Sequence, residues 1–243
     1  MVVDLLAQGI EVPSLSRAKI VAAADRVLRD YAAMLDQPVQ APVDLQDIAT
    51  NVLKLSWGFS DLRRDYGEGV HGAIWFSQRQ IWIDKSLDCD RFPELSGRMF
   101  FTLAHEIGHW VLHRHCFLDD DGNPIVFADG SDADIICRSH RRRPLIERQA
   151  DEFAGCLLMP ESLLRPAWRR HLGMDETLDD STIRQRVGKL DPQRFSYTDD
   201  ALGEPPCPRR VYREAFCDPL AERFAVSPEA MRIELETLGL LAG

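Results

Sequence analysis

Nowhere does the chain run to eighteen uninterrupted apolar residues, so hydropathy predicts no membrane-spanning helix. It also lacks a basic leader: Asp4 stands ahead of any apolar run, and no secretory signal is expected. Positive charge is short, with 29 Lys and Arg against 39 Asp and Glu and a formal net charge of −10. A dedicated nucleic-acid binder needs a basic surface to meet phosphates, so that class is disfavoured. Cysteine is sparse as well. Six are scattered at positions 89, 116, 137, 156, 207 and 217, too thinly for a disulfide framework, which suits reduced thiols and a cytoplasmic location. The 243 residues, 45% hydrophobic, suffice for one good core with a small appendage, or for two small domains.

Against these absences stands His105-Glu106-Ile107-Gly108-His109, an H-E-x-x-H pattern inside a segment that reads as helix. At about 100° and 1.5 Å per residue, two histidines four apart leave one helix face, where both imidazoles can grip one ion. Glu106 then lies where a carboxylate can take the proton of an attacking water and return it to a leaving amine. The pattern points to a metal-dependent peptide-bond hydrolase.

Two histidines need a third ligand. His115 has the spacing of an H-E-x-x-H-x-x-G-x-x-H pattern, but the glycine that would end the helix is replaced by Leu112. If the helix continues, His115 lies about 240° around from His109 and points away. His113 shares the ligand face but overshoots by a turn, as a polar group near the helix C-terminus. The better source is a second predicted helix from Leu145, with an apolar stripe of Ile146, Ala150, Phe153, Ala154, Leu157 and Leu158 and its end marked by Pro160. Glu147 and Asp151 flank that stripe, while Glu152 falls on the solvent side. Glu147 becomes the expected third ligand. Asp151, one turn on, is placed to accept the free ring N–H of a ligating histidine.

These two blocks, Phe101 to His109 and Glu147 to Pro160, resemble the signature blocks of the ImmA/IrrE metallopeptidases, H-E-x-G-H and E-x-x-A-[ND]-x-F-A-x-x-L-L-M-P. Pro42-Val43-Asp44-Leu45 with Ile48-Ala49 resembles the family's helix before the sheet, so the resemblance spans about residues 17 to 170. It implies a gluzincin-like zinc site, a sheet beside the cleft whose edge strand can pair with an extended substrate, and proteolysis of helix-turn-helix repressors that control mobile elements or stress responses. The stretch between the two helices, Cys116 to Pro144, is long and polarised. Asp119, Asp120, Asp121, Asp129, Asp132 and Asp134 precede Arg138, His140, Arg141, Arg142 and Arg143, a composition that reads as a solvated insertion or a loop over the cleft. It is no calcium loop, because Phe117 and Ala128 occupy positions that would need oxygen ligands. Cys137-Arg138-Ser139-His140 and the pair Cys207 and Cys217 are too incomplete for a structural zinc site. A redox role for Cys116 or Cys137 has no support beyond proximity.

Elsewhere the periodicity predicts a core-facing helix over 17 to 35, then a short helix after Pro42. A strand follows in which Leu53, Leu55, Trp57 and Phe59 alternate with polar or small residues, and then a hairpin of Val70–Phe76 and Gln80–Asp84. His71 and Tyr66, near these strands, are candidate oxyanion stabilisers by residue type alone. Prolines 192, 205, 206 and 208 break up an extension, after which Leu220 to Leu238 resembles a helix-turn-helix. Its second helix offers Glu229, Glu234 and Glu236 against only Arg232, which disfavours base reading and favours a packed hairpin.

The expected fold is therefore α+β and zincin-like, with a small, mainly antiparallel sheet, a helical core carrying H-E-x-x-H and a helical C-terminal appendage. The expected divisions are an N-terminal tail at 1–16, a metallopeptidase domain at 17–172 with the insertion 116–144, an extension at 173–213 and the helix-turn-helix-like element at 214–243. The expected activity is that of a metallo-endopeptidase with catalytic Glu106, metal ligands His105, His109 and Glu147, and Asp151 behind a ligand. Zinc is the expected ion, with manganese or iron as other tenants of the same donors, and the expected partner is a protein substrate. The rival is a non-catalytic regulator or partner-binding protein with a structural metal site.

Overall fold

The computed structural model describes residues 12–125, 135–138, 144–173, 176–190 and 209–242, and its contacts divide the chain into two units, Met1–Pro160 and Glu161–Gly243.

The first unit opens with α1, Arg17–Leu35, whose buried residues Ile20, Ala24, Val27, Leu28 and Tyr31 fall at the spacing the sequence predicts. The short α2, Leu45–Asp47, starts at Asp44, whose carboxylate accepts from the Asp47 N–H at 2.9 Å, and a π-helical turn, Ile48–Val52, continues it. Next come β1 (Ser56–Ser60), α3 (Leu62–Tyr66), β2 (Val70–Trp75) and β3 (Gln80–Asp84), and then α4 (Ser96–His113), β4 (Ile135–Arg138) and α5 (Leu145–Leu158). The expected strand from Leu53 begins three residues late. The Leu53 N–H still bonds the Ile48 carbonyl, and Lys54 turns through a φ of 57° before the chain extends.

The sheet runs β1-β3-β2-β4. The hairpin of β2 and β3 is antiparallel, β4 is antiparallel to β2, and β1 lies parallel to β3. A small α+β core with a mainly antiparallel sheet is thus observed. Strand β4 was expected as loop, since it sits between an acidic run and a basic block. It takes the edge of β2, leaving β1 and β4 as the outer strands. The remainder of that polarised stretch, 126–134 and 139–143 with His140, lies outside the described residues, as do the side chains of β4, Cys137 included.

Every residue of β2 is buried, because α4 packs on the strand and the cluster of Leu62, Val70, Ala73 and Trp75, with Tyr66 and Trp82, covers it on the other side. A bulge makes this possible. Val70 pairs with Arg138 and Gly72 with Cys137, so His71 is the extra residue. The additional residue lets Val70 and Ala73 share the outer cluster while His71 and Gly72 both meet α4.

Helix α4 is buried almost all the way round from Met99 to His113 and packs on α5, β2 and β3. Met99, Leu103 and Ile107 are fully buried, each contributing on the order of 2 kcal/mol of hydrophobic stabilisation. A helix placed in that way can hold polar groups only where they serve one another.

The second unit comprises α6 (Glu161–Leu172), α7 (Asp180–Leu190), α8 (Arg209–Phe224) and α9 (Pro228–Thr237). Its core includes Trp168, Ile183, Tyr212, Phe216, Phe224, Met231 and Leu235. Arg213, 2% exposed, reaches from α8 to Asp180 at 2.7 Å and Glu236 at 2.6 Å. The region expected to resemble a helix-turn-helix is the hairpin of α8 and α9, turned at Ala225 with a φ of 52° and capped by the Ser227 hydroxyl on the Ala230 N–H. Arg232, the cation expected on the second helix, bonds Glu236 at 2.9 Å and Glu214 at 3.4 Å. Most of the extension, 191–208 with Cys207, lies outside the described residues. Among the described residues no helix is long and apolar enough to cross a membrane.

Candidate metal centre

The centre is built where α4 crosses α5. Successive turns of α4 stack His105 and His109 with ring centroids 4.6 Å apart, and their Nε2 atoms lie 2.9 Å from each other. Glu147 enters from the first turn of α5, where the positive end of the helix favours a carboxylate. Its Oε2 lies 3.3 Å from His105 Nε2 and its Oε1 3.3 Å from His109 Nε2. The three side chains are buried and form the only group of three or more potential metal donors among the described residues.

Helix proximity depends on Gly108. A Cβ there would lie 3.2 Å from the Ala150 carbonyl oxygen and 3.1 Å from Phe153 Cδ1, so a side chain would press directly on α5. The glycine of H-E-x-G-H and the alanine two residues before Glu152 are one close contact seen from two sides.

Donor chemistry tests whether a cation fits. Asp151 Oδ1 lies 3.0 Å from His105 Nδ1, and a carboxylate accepts, so that ring nitrogen carries the proton and Nε2 of the neutral ring is a lone pair. Glu147 Oε2 and both carboxylate oxygens of Glu106 are buried without a hydrogen-bond partner among the described residues. Lone pairs converging in a dry interior repel unless a cation lies among them, and two imidazoles with a carboxylate are a zinc-type donor set that leaves a position open. The residues fit a divalent metal.

Charges in the cluster are set against each other. Burial alone would raise Glu147, but the His105 and His109 rings that face it outweigh burial and hold this carboxyl well below the usual range. Burial pushes Glu106 up to about 8, with the neighbouring His105 opposing and Glu147 adding to the rise. His109 is held below its ordinary value by burial against the pull of Glu147. His113 falls to about 3, through burial first and then the neighbouring His109. Two carboxylates side by side thus differ in proton affinity, as an acid–base group and a ligand must.

His115 lies in the 3-10 turn Arg114–Cys116 beyond α4, exposed and 3.6 Å from Cys116 Sγ, away from the cluster. Glu152 pairs with Arg17 at 3.0 Å. Tyr66 packs edge-on against Trp75, in the outer cluster of the sheet. His71 accepts from Arg98 Nη2 at Nε2, 2.7 Å away. His113 is fully buried, 3.1 Å from His109 and 2.9 Å from Gln149 Oε1. Sequence reasoning overlooked Gln149 and Gly72. Each had a signal: Gln149 is a polar residue three after Ile146 in an apolar stripe, and Gly72 interrupts an apolar strand, where glycine often marks a close approach.

No curated protein matches the chain. Residues 94–189 match the family model described as Peptidase_M78, IrrE N-terminal-like domain. The ImmA/IrrE resemblance drawn from the two sequence blocks is borne out, and the matched segment contains His105, Glu106, His109, Glu147 and Asp151. The match supports a metallopeptidase.

Proposed function

From the premise of a metallopeptidase domain at residues 94–189, we propose that the chain is a zinc-dependent endopeptidase that cleaves a helix-turn-helix repressor in the cytoplasm. The observation that carries the hydrolase reading is the convergence of His105 Nε2, His109 Nε2 and the Glu147 carboxylate, with Glu106 buried beside them and unsatisfied. His105, His109 and Glu147 hold the metal, and Asp151 orients His105 through Nδ1. A divalent ion in this site supplies a Lewis acid for the peptide carbonyl. Glu106 takes the proton of the attacking water at a carboxylate oxygen and delivers it to the leaving amine. A purely structural site has no need of a buried carboxylate next to an open position, which favours catalysis over the regulator reading. The repressor as substrate and the cytoplasmic location rest on the family resemblance and the scattered cysteines.

The test pairs metal analysis with cleavage. Wild-type protein purified without a metal-affinity tag is expected to carry zinc near one ion per chain, and Glu147→Ala to lose it. Incubated with the cognate repressor, the wild type should cut it, whereas Glu106→Gln should keep the zinc and leave the repressor intact. Equal cleavage by Glu106→Gln would end the assignment of Glu106, and a repressor untouched by zinc-loaded wild type would end the choice of substrate.

A further inference from the structure

We infer that His113, Gln149 and the Pro13 carbonyl form a one-way hydrogen-bond chain that fixes the tautomer of His109 and aims its Nε2 lone pair into the metal centre, making His113 and Gln149 positioning residues for the ligand. This rests on the metal-site reading above.

The direction of every bond follows from its far end. Gln149 Nε2 lies 3.0 Å from the Pro13 carbonyl oxygen. A carbonyl only accepts, so the amide NH2 must face Pro13 and the amide oxygen must face His113. That oxygen, 2.9 Å from His113 Nε2, also only accepts, so Nε2 carries the ring proton of His113. Nδ1 of the neutral ring is then a lone pair. It lies 3.1 Å from His109 Nδ1, which must therefore donate, and His109 Nε2 is left as the lone pair that faces His105 and Glu147. Reversing any one bond would set two acceptors or two donors against each other in a dry interior, at a cost of roughly 1–3 kcal/mol.

The two histidine ligands are thereby oriented by different means. His105 leans on a carboxylate, Asp151, whose side chain is 25% exposed. His109 leans on a neutral chain in which His113 is 0% and Gln149 3% exposed. Both orienting residues come from helices that already carry ligands, α4 and α5, while the terminal acceptor comes from the segment that precedes α1. Docking of that segment is thus a condition for a correctly prepared ligand, which gives residues 12–16 a task in the site although they are distant from it in sequence. Removal of a partner behind a ligating histidine typically weakens a metal by about 10- to 100-fold.

Zinc affinity by chelator competition on the full chain tests the chain link by link. His113→Phe and Gln149→Leu should each weaken zinc about tenfold or more. Gln149→Glu is the control with opposite outcome: burial keeps the new carboxyl protonated, so its O–H donates to the Pro13 carbonyl while its other oxygen accepts from His113 Nε2, and zinc affinity should stay within a few-fold of wild type. If Gln149 only filled space, leucine and glutamic acid there would affect zinc affinity alike. Long-range nitrogen–proton NMR on zinc-loaded wild type needs no variant, and should report His113 protonated at Nε2 and His109 at Nδ1. Unchanged zinc affinity in both weakening variants, equal loss in Gln149→Glu and Gln149→Leu, or His113 protonated at Nδ1 would each overturn the inference. Failure of the wild type itself to bind zinc would instead bring down the metal-site reading.

Discussion

Gly72 and Glu106 meet backbone to carboxylate: a Cβ at position 72 would lie 2.5 Å from Glu106 Oε1 and 2.8 Å from Thr102 Cγ2. The strand with the bulge at His71 therefore forms the wall against which the proposed acid–base group rests, and only a residue without a side chain leaves room for it. Gly72→Ala should displace the Glu106 carboxylate while leaving His105 and His109, which face Glu147 and Asp151 on α5, in place. A displacement near 1 Å costs on the order of 100-fold in rate. The expected outcome is a fall in kcat of that order with zinc content unchanged, read by peptide hydrolysis and elemental analysis on the same preparation. Zinc lost in parallel with activity would show that the strand supports the whole site rather than Glu106.

Gly108 sets the distance between the two ligand-bearing helices. Replacement by alanine would gain about 1 kcal/mol of helix propensity, against contacts that require the Ala150 backbone or the Phe153 ring to shift by a few tenths of an ångström. Those effects nearly offset. Gly108→Val adds a branched three-carbon side chain that α5 cannot avoid, and it should lower both stability and zinc affinity, because Glu147 travels with α5. Zinc competition against urea unfolding separates the two effects, and a destabilised variant with wild-type affinity would contradict the link between helix spacing and the ligand.

The pH dependence of the metal-free protein tests the environment of Glu106. With its folded pKa raised to about 8, the native state holds a proton that the unfolded chain releases from about pH 4.5 upward. The unfolded state then binds fewer protons than the native, so this contribution is fully present below the unfolded pKa and lost as pH rises toward 8. Glu106→Gln removes that dependence. The thermal midpoint of the variant should gain on that of wild type between about pH 5 and pH 8. His109 and His113, held low in the folded state, lose stability as pH falls below their ordinary value, but they do so in both proteins and cancel in the difference. A difference that is flat with pH would mean that Glu106 is ionised without metal.

In the second unit Arg213 joins α8 to Asp180 and Glu236. Breaking a fully buried ion pair costs about 3–5 kcal/mol, but Asp180 and Glu236 are 34% and 28% exposed and regain water when released. Arg213→Met should therefore destabilise by about 2 kcal/mol, measured by urea unfolding. A loss below about 0.5 kcal/mol would place the cluster with ordinary surface pairs.

How much was legible beforehand follows from the range of each interaction. The spacing of His105, Glu106 and His109 on one helix face, the amphipathic stripe of α1 and the hairpin of β2 and β3 are local regularities, and the residues alone determine them. The two sequence blocks sufficed for the family resemblance, and counting angles around α5 singled out Glu147 over Glu152. Other features depend on what lies across the gap. Residues 135–138 become a strand only because β2 offers an open edge, so their charged surroundings pointed to a loop. His113 looked like a polar residue near a helix end until burial left it Gln149 and His109 as its bonding partners. Gln149 itself sits among charged neighbours in sequence, Glu147, Arg148, Asp151 and Glu152, and its task appears only when Pro13, 136 residues away, supplies a carbonyl. Periodicity reveals which side of an element is buried, since that depends on its own geometry. Which atoms meet inside, and therefore which nitrogen holds a proton, depends on contacts between distant segments and was decided by the tertiary structure.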